Sequence, residues 1–311
     1  MSPQPVQWVI GVDGGGTKTL AILADVSGTE RVRRLAGPSN PNLIGVDSAA
    51  RCLAEILSDC CGAADCTPRY LSGVVLGLAG AGSAENRAAL EARLKEWFGA
   101  GFPLLIETDA RIALEGGLGG RPGIAVIAGT GSIVAAKSPA GEIFTVGGWG
   151  RALGDEGSGF SIGVEAARAL AKHLDCMLET SLLPQALRER FGWDSREALV
   201  HALYREKVEL SACAPLVMEL AETGDGVCSQ ILRRAASALA GQVFAAFQHI
   251  GMDQVAVATC GGLIDRPSAY RNILESELRL RCPHATVRMP ERTAAEGAVL
   301  LALKMAGEGV W

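Results

Sequence analysis

Hydrophobic and polar positions along this chain predict strands first and helices afterwards, and the whole pattern occurs twice. In the first stretch, short apolar runs separated by glycine-rich turns give way to longer segments with helical spacing. The elements predicted there are strands at 7–13, 18–25 and 30–36, a helix at 47–60, a strand at 72–78, a helix at 83–98 and a strand at 103–107.

The same succession of elements starts again at residue 123, in the segment GIAVIAGTGSIVAAKSPAGEIFTVG. Three strands joined by two turns lead into the second half, whose further elements are helices at 161–173 and 229–250, a strand at 254–260, a helix at 266–281, a strand near 285–289 and a helix at 291–306. Both halves therefore follow the order βββαβαβα, with a helical insertion at about 174–228 in the second. Agreement of this extent indicates a duplicated unit.

The repeat predicts an α/β protein of two domains with the same topology, residues 1–112 and 113–311, and a last helix that could pack back on the first domain. Two such domains facing each other would form an interdomain cleft, the kind of place where small-molecule sites lie. Each half begins with a glycine-rich turn between two strands. If a pseudo-dyad relates the halves, both turns point into the same cleft.

The composition excludes several classes of protein. Apolar residues make up 49% of the 311 residues, and the net charge is −5, so nothing indicates a nucleic-acid or anionic-membrane partner. The chain shows neither the pattern of a signal peptide nor an apolar run of about 18 residues, which predicts a cytoplasmic protein. The nine cysteines form no CxxC pair, so we expect reduced, buried thiols, with the cysteines at 52–66 the only candidates for metal binding or oxidation.

Two glycine-rich turns, DGGGTKT and GTGS, carry the first chemical signal. Glycines allow backbone N–H groups to converge on an anion, and neighbouring hydroxyl and ammonium groups add donors. Because the turns occupy matching positions of a repeat, we expect both to bind the phosphates of a nucleotide. The predicted residues are Gly14, Gly15, Gly16, Thr17, Lys18, Gly129, Thr130, Gly131 and Ser132. A P-loop and a Rossmann fingerprint are excluded, because both open a helix whereas a strand follows each of these turns.

Six segments together resemble the N-acetylglucosamine kinase group of the BadF/BadG/BcrA/BcrD-type ATPases: GVDGGGTKT, GLAGAG, ETDARIAL, IAGTGSI, GGWGRALGDEGSG and CGGL. The resemblance runs from about residue 9 to 305. GGWGRALGDEGS is its most specific part, whereas DGGGT marks only the wider superfamily of sugar kinases, Hsp70 and actin. The resemblance implies two ribonuclease-H-like, actin-like ATPase domains that bind ATP and a sugar, with a homodimer as the usual assembly.

Asp109 is the predicted catalytic residue. It follows the apolar strand FPLLIE, and a kinase needs a carboxylate to orient or deprotonate the attacking hydroxyl. The resemblance implies that Asp109 accepts the proton of the sugar 6-hydroxyl and contacts the sugar. The residues alone leave a second interpretation open, an N-cap for a helix that begins near Ala110.

Asp13, at the end of the first strand, is the predicted Mg²⁺ ligand, acting through water because Mg²⁺ keeps several waters and takes few carboxylates. An aspartate that initiates the turn is the alternative, and Glu107 is a weaker candidate for the same neighbourhood. Gly261 and Gly262, in the turn TCGGL, are predicted to lie against the adenine or ribose. An ordinary strand-to-helix turn explains these two glycines nearly as well.

The predicted sugar-binding residues lie in three further loops. By the resemblance, Asp155 binds sugar hydroxyls, Gly148 and Trp149 shape the pocket, Asn40 binds further hydroxyls and Gly80 brings the backbone close to the sugar. Each has a structural alternative: a helix-capping loop for Asp155, a core position for Trp149, turn chemistry for Asn40 and a close-packed turn for Gly80.

These predictions combine into an ATP-dependent kinase acting on the 6-hydroxyl of an amino sugar, most simply N-acetylglucosamine, with glucosamine or another hexose as an alternative. A second class, an ATPase that activates an iron–sulfur acyl-CoA reductase or dehydratase, would need clustered cysteine ligands. A third class, a sugar-responsive repressor or an actin-like scaffold, conflicts with the negative charge and with a first strand that starts by residue 7.

Overall fold

The structure is a computed structural model that describes residues 7–177 and 180–308. Its strands are β1 (Trp8–Gly14), β2 (Thr19–Asp25), β3 (Glu30–Ala36), β4 (Leu71–Leu78), β5 (Leu104–Thr108), β6 (Gly123–Ala128), β7 (Ser132–Lys137), β8 (Ile143–Gly147), β9 (Val255–Cys260) and β10 (Ala285–Arg288). Its α-helices are α1 (Pro41–Ile44), α2 (Val46–Ala63), α3 (Ala84–Phe98), α4 (Asp109–Gly117), α5 (Gly159–Leu174), α6 (Leu183–Phe191), α7 (Arg196–His201), α8 (Ala214–Glu222), α9 (Gly226–His249), α10 (Ala269–Arg281) and α11 (Ala294–Glu308).

The described residues form two compact units. The first unit consists of residues 7–121 and 290–308, and the second of residues 122–289. The sequence predicted a boundary at residue 112, inside α4. The structure keeps the whole of α4 in the first unit because this helix packs against α11 and against β4 and β5. The last helix, α11, is also part of the first unit.

Each unit is built on one five-stranded sheet. The strand order is β3-β2-β1-β4-β5 in the first unit and β8-β7-β6-β9-β10 in the second. In both sheets the first three strands in sequence are antiparallel neighbours, and the last two join them as parallel strands. The two sheets therefore share strand order and pairing sense, which confirms the predicted α/β fold with a repeated topology.

The central strands of the first sheet, β2, β1 and β4, are buried on both faces. Along β1, Ile10 and Val12 point into a core shared with α2 and α3, whereas Val9 belongs to a second core that α11 covers. Helix α11 packs closely on this sheet: a Cβ at Gly11 would collide with the backbone of Val299. A Cβ at Gly297 would likewise collide with the backbone of α4.

In the second unit, α5 and the 24-residue α9 share the core that includes residues of β6 and β7. The side chains that α9 buries include Ile231, Leu232, Leu239 and Val243. Helices α6, α7 and α8 lie between α5 and α9 in sequence, in the segment where the sequence predicted a helical insertion.

The parallel strands of each sheet end at one edge, because parallel neighbours run in the same direction. In the first unit, β1, β4 and β5 end at Gly14, Leu78 and Thr108. In the second unit, β6 and β9 end at Ala128 and Cys260. Each unit thus gathers several of its candidate loops at the carboxyl edge of its own sheet.

Candidate active site

The first glycine turn joins β1 to β2. The Gly15 N–H donates to the Lys18 carbonyl oxygen (3.0 Å), and Gly16, Thr17 and Lys18 are exposed to solvent. Gly14 is buried, and a Cβ on it would collide with Ser39. The exposed part of the turn therefore offers backbone N–H groups, a hydroxyl and an ammonium, which is the donor set that a phosphate requires.

Two further loops are tied to this turn by backbone hydrogen bonds. The Gly14 carbonyl oxygen accepts from the Ala79 N–H (2.9 Å), and the Gly15 carbonyl oxygen accepts from the N–H groups of Ser39 (3.0 Å) and Asn40 (3.2 Å). Two predicted sugar-binding residues, Asn40 and Gly80, are thereby brought beside the first glycine turn.

Asn40 and Gly80 also contact each other. Gly80 has φ +88°, and a Cβ there would collide with Asn40 Oδ1. Asn40 Oδ1 accepts from the Asn42 N–H (2.9 Å) and caps α1, so the predicted turn chemistry is present. Asn86 Nδ2 donates to Asn42 Oδ1 (2.8 Å) and to the Gly80 carbonyl oxygen (3.2 Å). Sequence reasoning missed both Asn42 and Asn86, because no local pattern links residues 44 positions apart.

Asp109 is the first residue of α4, and it does not cap that helix. The N-cap is Thr108, whose hydroxyl oxygen accepts from the Arg111 N–H (3.2 Å). Asp109 is accessible to solvent and its Oδ1 accepts from the Ala110 N–H (2.9 Å). Desolvation by the surrounding protein raises the pKa of the Asp109 carboxyl, whereas hydrogen bonds from backbone N–H groups lower it by a smaller amount. The N-cap interpretation is therefore wrong, and Asp109 presents a carboxylate with increased basicity.

Asp13 lies in β1, one residue before the glycine turn, and is half-buried. Burial, and then the negative charge of Asp109, raise the pKa of the Asp13 carboxyl from 3.8 to about 6, and Lys18 opposes them. Two neighbouring carboxylates with little compensating charge form a site that attracts a cation. Within 7–177 and 180–308, no group of three or more His, Cys, Asp or Glu is arranged to hold a metal. A pair of acids fits Mg²⁺, which takes few carboxylates and keeps its waters and substrate phosphates.

Glu107 lies close to these acids in sequence, but its neighbour is a cation. Glu107 Oε1 is 3.9 Å from Arg111 Nη1, and Arg111 also pairs with Glu115 (3.0 Å). A carboxylate that faces a guanidinium is a poorer candidate for Mg²⁺ than Asp13 and Asp109.

The second glycine turn joins β6 to β7. The Gly129 N–H donates to the Gly131 carbonyl oxygen (2.9 Å), and Thr130 and Gly131 are exposed. The carbonyl oxygens of Gly129 and Thr130 accept from the N–H groups of Gly159 (2.8 Å) and Phe160 (3.1 Å), at the start of α5. These two hydrogen bonds attach the turn to α5, and Thr130 and Gly131 stay accessible to solvent.

Ser132, at the end of this turn, is buried and fully engaged. Its N–H donates to Asp155 Oδ1 (3.1 Å), and its hydroxyl donates to the Glu156 carbonyl oxygen (2.8 Å). Burial raises the pKa of the Asp155 carboxyl, although the Ser132 N–H and the nearby Arg151 lower it. Asp155 is thus placed directly beside the second glycine turn, with Oδ1 3.2 Å from the point where a Cβ of Gly131 would lie.

Trp149 belongs to the loop of residues 147–157, which we call the tryptophan loop. Gly150 and Gly154 form an antiparallel bridge that closes it, and Trp149 is 75% exposed. Leu153 in the same loop is 79% exposed. The alternative of a core position for Trp149 is therefore wrong, and the loop presents apolar surface to solvent next to Asp155.

The turn after β9 lies against the second glycine turn. Gly261 has φ +90°, and a Cβ there would lie 2.5 Å from the Ala128 carbonyl oxygen. The Leu263 N–H donates to that oxygen (3.2 Å). Gly262 is exposed and has open space at its Cα. Close packing on Ala128 thus accounts for Gly261, while Gly262 has room for a ligand beside it.

The cysteines of the 52–66 segment include Cys60 and Cys61, which are buried at the end of α2. Burial raises the pKa of the Cys60 thiol to about 11 and that of the Cys61 thiol to about 12. Because the thiolate is the metal-binding and reactive form, these groups are suited to packing rather than to ligation. In the part of the chain that the structure describes, no helix is both long enough and apolar enough to span a bilayer.

Comparisons with known proteins identify the family of this chain. The BadF/BadG/BcrA/BcrD ATPase family matches residues 10–302, and the chain belongs to it. The resemblance noted in the sequence is thereby confirmed.

Individual relatives indicate the type of activity within this family. An N-acetylmuramic acid/N-acetylglucosamine kinase of Clostridium acetobutylicum is 31% identical over 302 residues, which cover 96% of this chain and 98% of the relative. An N-acetyl-D-glucosamine kinase of Dictyostelium discoideum is 29% identical, with coverage of 94% and 97%. A crystal structure from Chromobacterium violaceum, provisionally assigned as an N-acetylglucosamine kinase, superposes with a TM-score of 0.78 at 30% identity, with coverage of 96% and 99%. These relatives place the chain among the sugar kinases of its family.

Proposed function

We propose that this protein transfers the γ-phosphoryl group of ATP to the 6-hydroxyl of N-acetylglucosamine, with Mg²⁺ as the metal. The observation that carries the proposal is the arrangement in the first unit. An accessible carboxylate with a raised pKa, Asp109, lies beside Asp13, and Asp13 leads into a glycine turn to which Asn40 and Gly80 are tied. The names of the relatives support the choice of sugar.

In this proposal Asp109 accepts the proton of the attacking hydroxyl. Its raised pKa makes the carboxylate a stronger base near neutral pH, which suits a group that must bind a proton during transfer. Because phosphoryl transfer depends mostly on positioning and electrostatics, the remaining residues orient the two substrates. Asn40, Gly80, Gly148, Trp149 and Asp155 would face the sugar.

The nucleotide is assigned to the two glycine turns. The exposed residues 16–18 and 130–131 would donate to phosphate oxygens, and the turns would be shaped by Gly14, Gly15, Gly129 and Ser132. Gly261 and Gly262 would lie against the adenine or ribose. Asp13 would hold Mg²⁺ through water. When bound, Mg²⁺ supplies positive charge that offsets the charge developing on the transferred phosphoryl group.

A second substrate, N-acetylmuramic acid, is favoured by a cavity of about 510 Å³ in the second unit, between α5 and α9. The cavity reaches Asp155, and the guanidinium groups of Arg151, Arg168 and Arg234 line it. Arg168 and Arg234 share the single carboxylate of Glu165, at 2.6 and 3.5 Å, so positive charge exceeds negative charge at that end. N-acetylmuramic acid carries a lactyl carboxylate that could pair with a guanidinium.

A substrate panel tests the proposal. The purified protein is incubated with MgATP and N-acetylglucosamine, N-acetylmuramic acid, glucosamine, glucose or 6-deoxy-N-acetylglucosamine, and ADP release and sugar phosphate are both measured. We expect phosphorylation of N-acetylglucosamine and none of its 6-deoxy form, which lacks the accepting hydroxyl. Preference for glucosamine or glucose would change the sugar assignment. ATP hydrolysis without any sugar phosphate, by a protein that contains iron, would instead support the acyl-CoA reductase activator class.

The muramic acid candidate has a test of its own. Arg234→Met should lower kcat/KM for N-acetylmuramic acid while leaving kcat/KM for N-acetylglucosamine nearly unchanged, because the excess positive charge lies at that end of the cavity and only N-acetylmuramic acid offers a carboxylate. Equal losses for both sugars would show that Arg234 serves the fold rather than the substrate. The homodimer and the cytoplasmic location stay predictions.

A further inference from the structure

One side chain of α9, Gln242, contacts both ends of the tryptophan loop. At the first end, a Cβ on Gly147 would lie within 2.9 Å of Oε1, Cδ and Nε2 of Gln242, so the amide lies flat against this glycine. At the second end, Gln242 Nε2 donates to Glu156 Oε2 (3.3 Å). The residues between these two contacts include Gly148, Trp149 and Asp155.

The contact at Glu156 leads directly to Asp155 and to the second glycine turn. The Glu156 carbonyl oxygen accepts from the Ser132 hydroxyl (2.8 Å), and Asp155 accepts from the Ser132 N–H (3.1 Å). A displacement of Glu156 would therefore move Asp155 relative to Ser132. The hydrogen bond from Gln242 to Glu156 therefore acts on the position of Asp155, whereas the exposed residues of the turn, Thr130 and Gly131, lie outside these contacts.

The stability of the fold does not account for an amide side chain at position 242. Its Oε1 is buried and accepts no hydrogen bond from the described residues. A buried carbonyl oxygen without a donor is unfavourable, and an apolar side chain of the same shape would avoid that cost. Yet the amide stays in contact with Gly147, whose φ of +75° suits glycine and admits no side chain in the space that Gln242 fills.

The helix that carries Gln242 is a rigid base for the loop. On the turns of α9 that flank Gln242, Leu239, Val243 and Ala246 are completely buried. A side chain anchored in this way can hold a loop whose own tip is exposed.

We infer that Gln242 is a positioning residue for the sugar site: it fixes the two ends of the tryptophan loop and thereby sets the places of Trp149 and Asp155. This inference rests on the proposed function, in which that loop binds the sugar. Gln242 would act on sugar binding and leave nucleotide binding unchanged, because its contacts reach the loop at Gly147 and Glu156 and not the exposed part of the glycine turn.

The first test replaces Gln242 by methionine, with Gln248→Met as the matched control, since Gln248 is an exposed glutamine of the same helix. We expect the KM for the sugar to rise about tenfold or more in Gln242→Met, because small displacements of positioning groups are costly. The KM for ATP should stay unchanged and the melting temperature should stay equal or rise. The control should match the wild type in all three. An unchanged sugar KM, or an equal rise in both KM values, would overturn the inference.

The second test exchanges the hydrogen-bonding partners. Gln242→Glu alone places a carboxylate beside Glu156 and should raise the sugar KM through repulsion. Adding Glu156→Gln restores an amide–carboxylate pair and should return the sugar KM most of the way to the wild-type value. A double variant no better than Gln242→Glu alone would contradict the inference.

A third measurement separates this inference from the proposed function. Hydrogen exchange of the amides at residues 148–154 is recorded without any sugar, in the wild type and in Gln242→Met. Faster exchange in the variant is expected whether or not the protein phosphorylates a sugar. If the wild type phosphorylates no sugar but exchange is faster, only the proposed function fails. If exchange is unchanged, the positioning role fails.

Discussion

Two carboxylates of the first unit, Asp13 and Asp109, hold like charges close together in partly dehydrated surroundings. Burial and the charge of Asp109 make ionisation of Asp13 less favourable, which raises its pKa to about 6. A cation that arrives with the nucleotide would relieve this repulsion. In the proposed function, the ligand-free protein would keep an unfavourable pair of charges that Mg²⁺ and the nucleotide would compensate in the substrate complex.

Replacing the proposed base should separate catalysis from folding. Asp109→Asn should lower kcat by at least about 100-fold, because a positioned base contributes about 10²–10⁴-fold to the rate. Far-UV circular dichroism and the melting temperature should stay close to wild type, since Thr108 caps α4. Glu85→Gln, which removes another acid from the first turn of a helix, α3, serves as the control and should keep full activity. A kcat for Asp109→Asn near that of the control would remove Asp109 from the chemistry.

The pH dependence of activity should report Asp13. Protonation of this carboxyl removes the charge that would hold Mg²⁺, so kcat/KM should fall as the pH decreases through about 6. Initial rates at a fixed, subsaturating Mg²⁺ concentration in buffers of constant ionic strength would measure this, because saturating Mg²⁺ would lower the pKa of its own ligand. An acid limb near pH 4, the ordinary range of an aspartate, would show that Asp13 is not the titrating group.

The raised pKa of Asp13 should also make the stability of the ligand-free protein depend on pH. Because the pKa of folded Asp13 exceeds the unfolded value of 3.8, the folded state favours the neutral acid. The stability that this preference contributes is present below about pH 4 and is lost as the pH rises through about 6. Asp13→Asn should therefore increase the free energy of unfolding by about 1–3 kcal/mol at pH 7.5 and hardly change it near pH 4. Urea titrations of both proteins at the two pH values would measure this, and equal effects at both would contradict it.

At the scale of elements, the amino end of α4 holds two adjacent residues of which only one caps the helix. The sequence ETDA contains two side chains able to cap a helix, Thr108 and Asp109. The structure gives the cap to Thr108, whose hydroxyl oxygen accepts from the Arg111 N–H. Asp109 is left in the first turn, where a negative charge interacts favourably with the helix dipole and the carboxylate remains accessible.

Removing that cap should affect stability far more than removing Asp109. Thr108→Ala should lower the free energy of unfolding by about 1 kcal/mol, the usual loss for an N-cap. Thr108→Ser, which keeps the hydroxyl, should restore most of it. Chemical denaturation of both variants and of Asp109→Ala would make the comparison. A larger loss for Asp109→Ala than for Thr108→Ala would assign the cap to Asp109 after all.

Strands and long helices of this chain were predictable because their signals are local. The apolar runs of β1 and β2 and the small residues of α11 can be read from a few neighbouring residues. Helix α1 was missed because its four residues are too few to show a period. Asn86 and Gln242 were missed for a different reason. Their partners lie 44 and 86 positions away in sequence, so only the folded chain brings them together.

At the scale of the whole molecule, two units of the same topology differ in how the chain completes them. The second unit is one continuous segment, whereas the first unit needs α11 from the carboxyl end. Ala295, Ala298 and Ala302 of α11 belong to the core cluster that also contains Val9 and Val75 of the first sheet. The first unit therefore depends on residues that follow the second unit in sequence.

The close contact between α11 and α4 should be sensitive to a single methyl group. In Gly297→Ala the new Cβ would collide with the Ile112 carbonyl oxygen and with the backbone at Gly116, neither of which can rotate away. We expect the free energy of unfolding to fall by about 1–3 kcal/mol, the usual cost of overpacking. Gly307→Ala, on the same helix but with nothing near its Cα, is the control and should be neutral or slightly stabilising. Thermal unfolding of both variants would decide, and a neutral Gly297→Ala would mean that the two helices can move apart.

Because the ribosome synthesises the chain from its amino end, the second unit can be completed before the first. All of residues 122–289 are translated before α11, so the nascent chain carries the residues of the first sheet with one apolar face uncovered during this time. At about 5–20 residues per second this interval lasts about 10–30 s. The first unit is thus completed after the second, and until then its uncovered face is the surface on which a cotranslational chaperone would act.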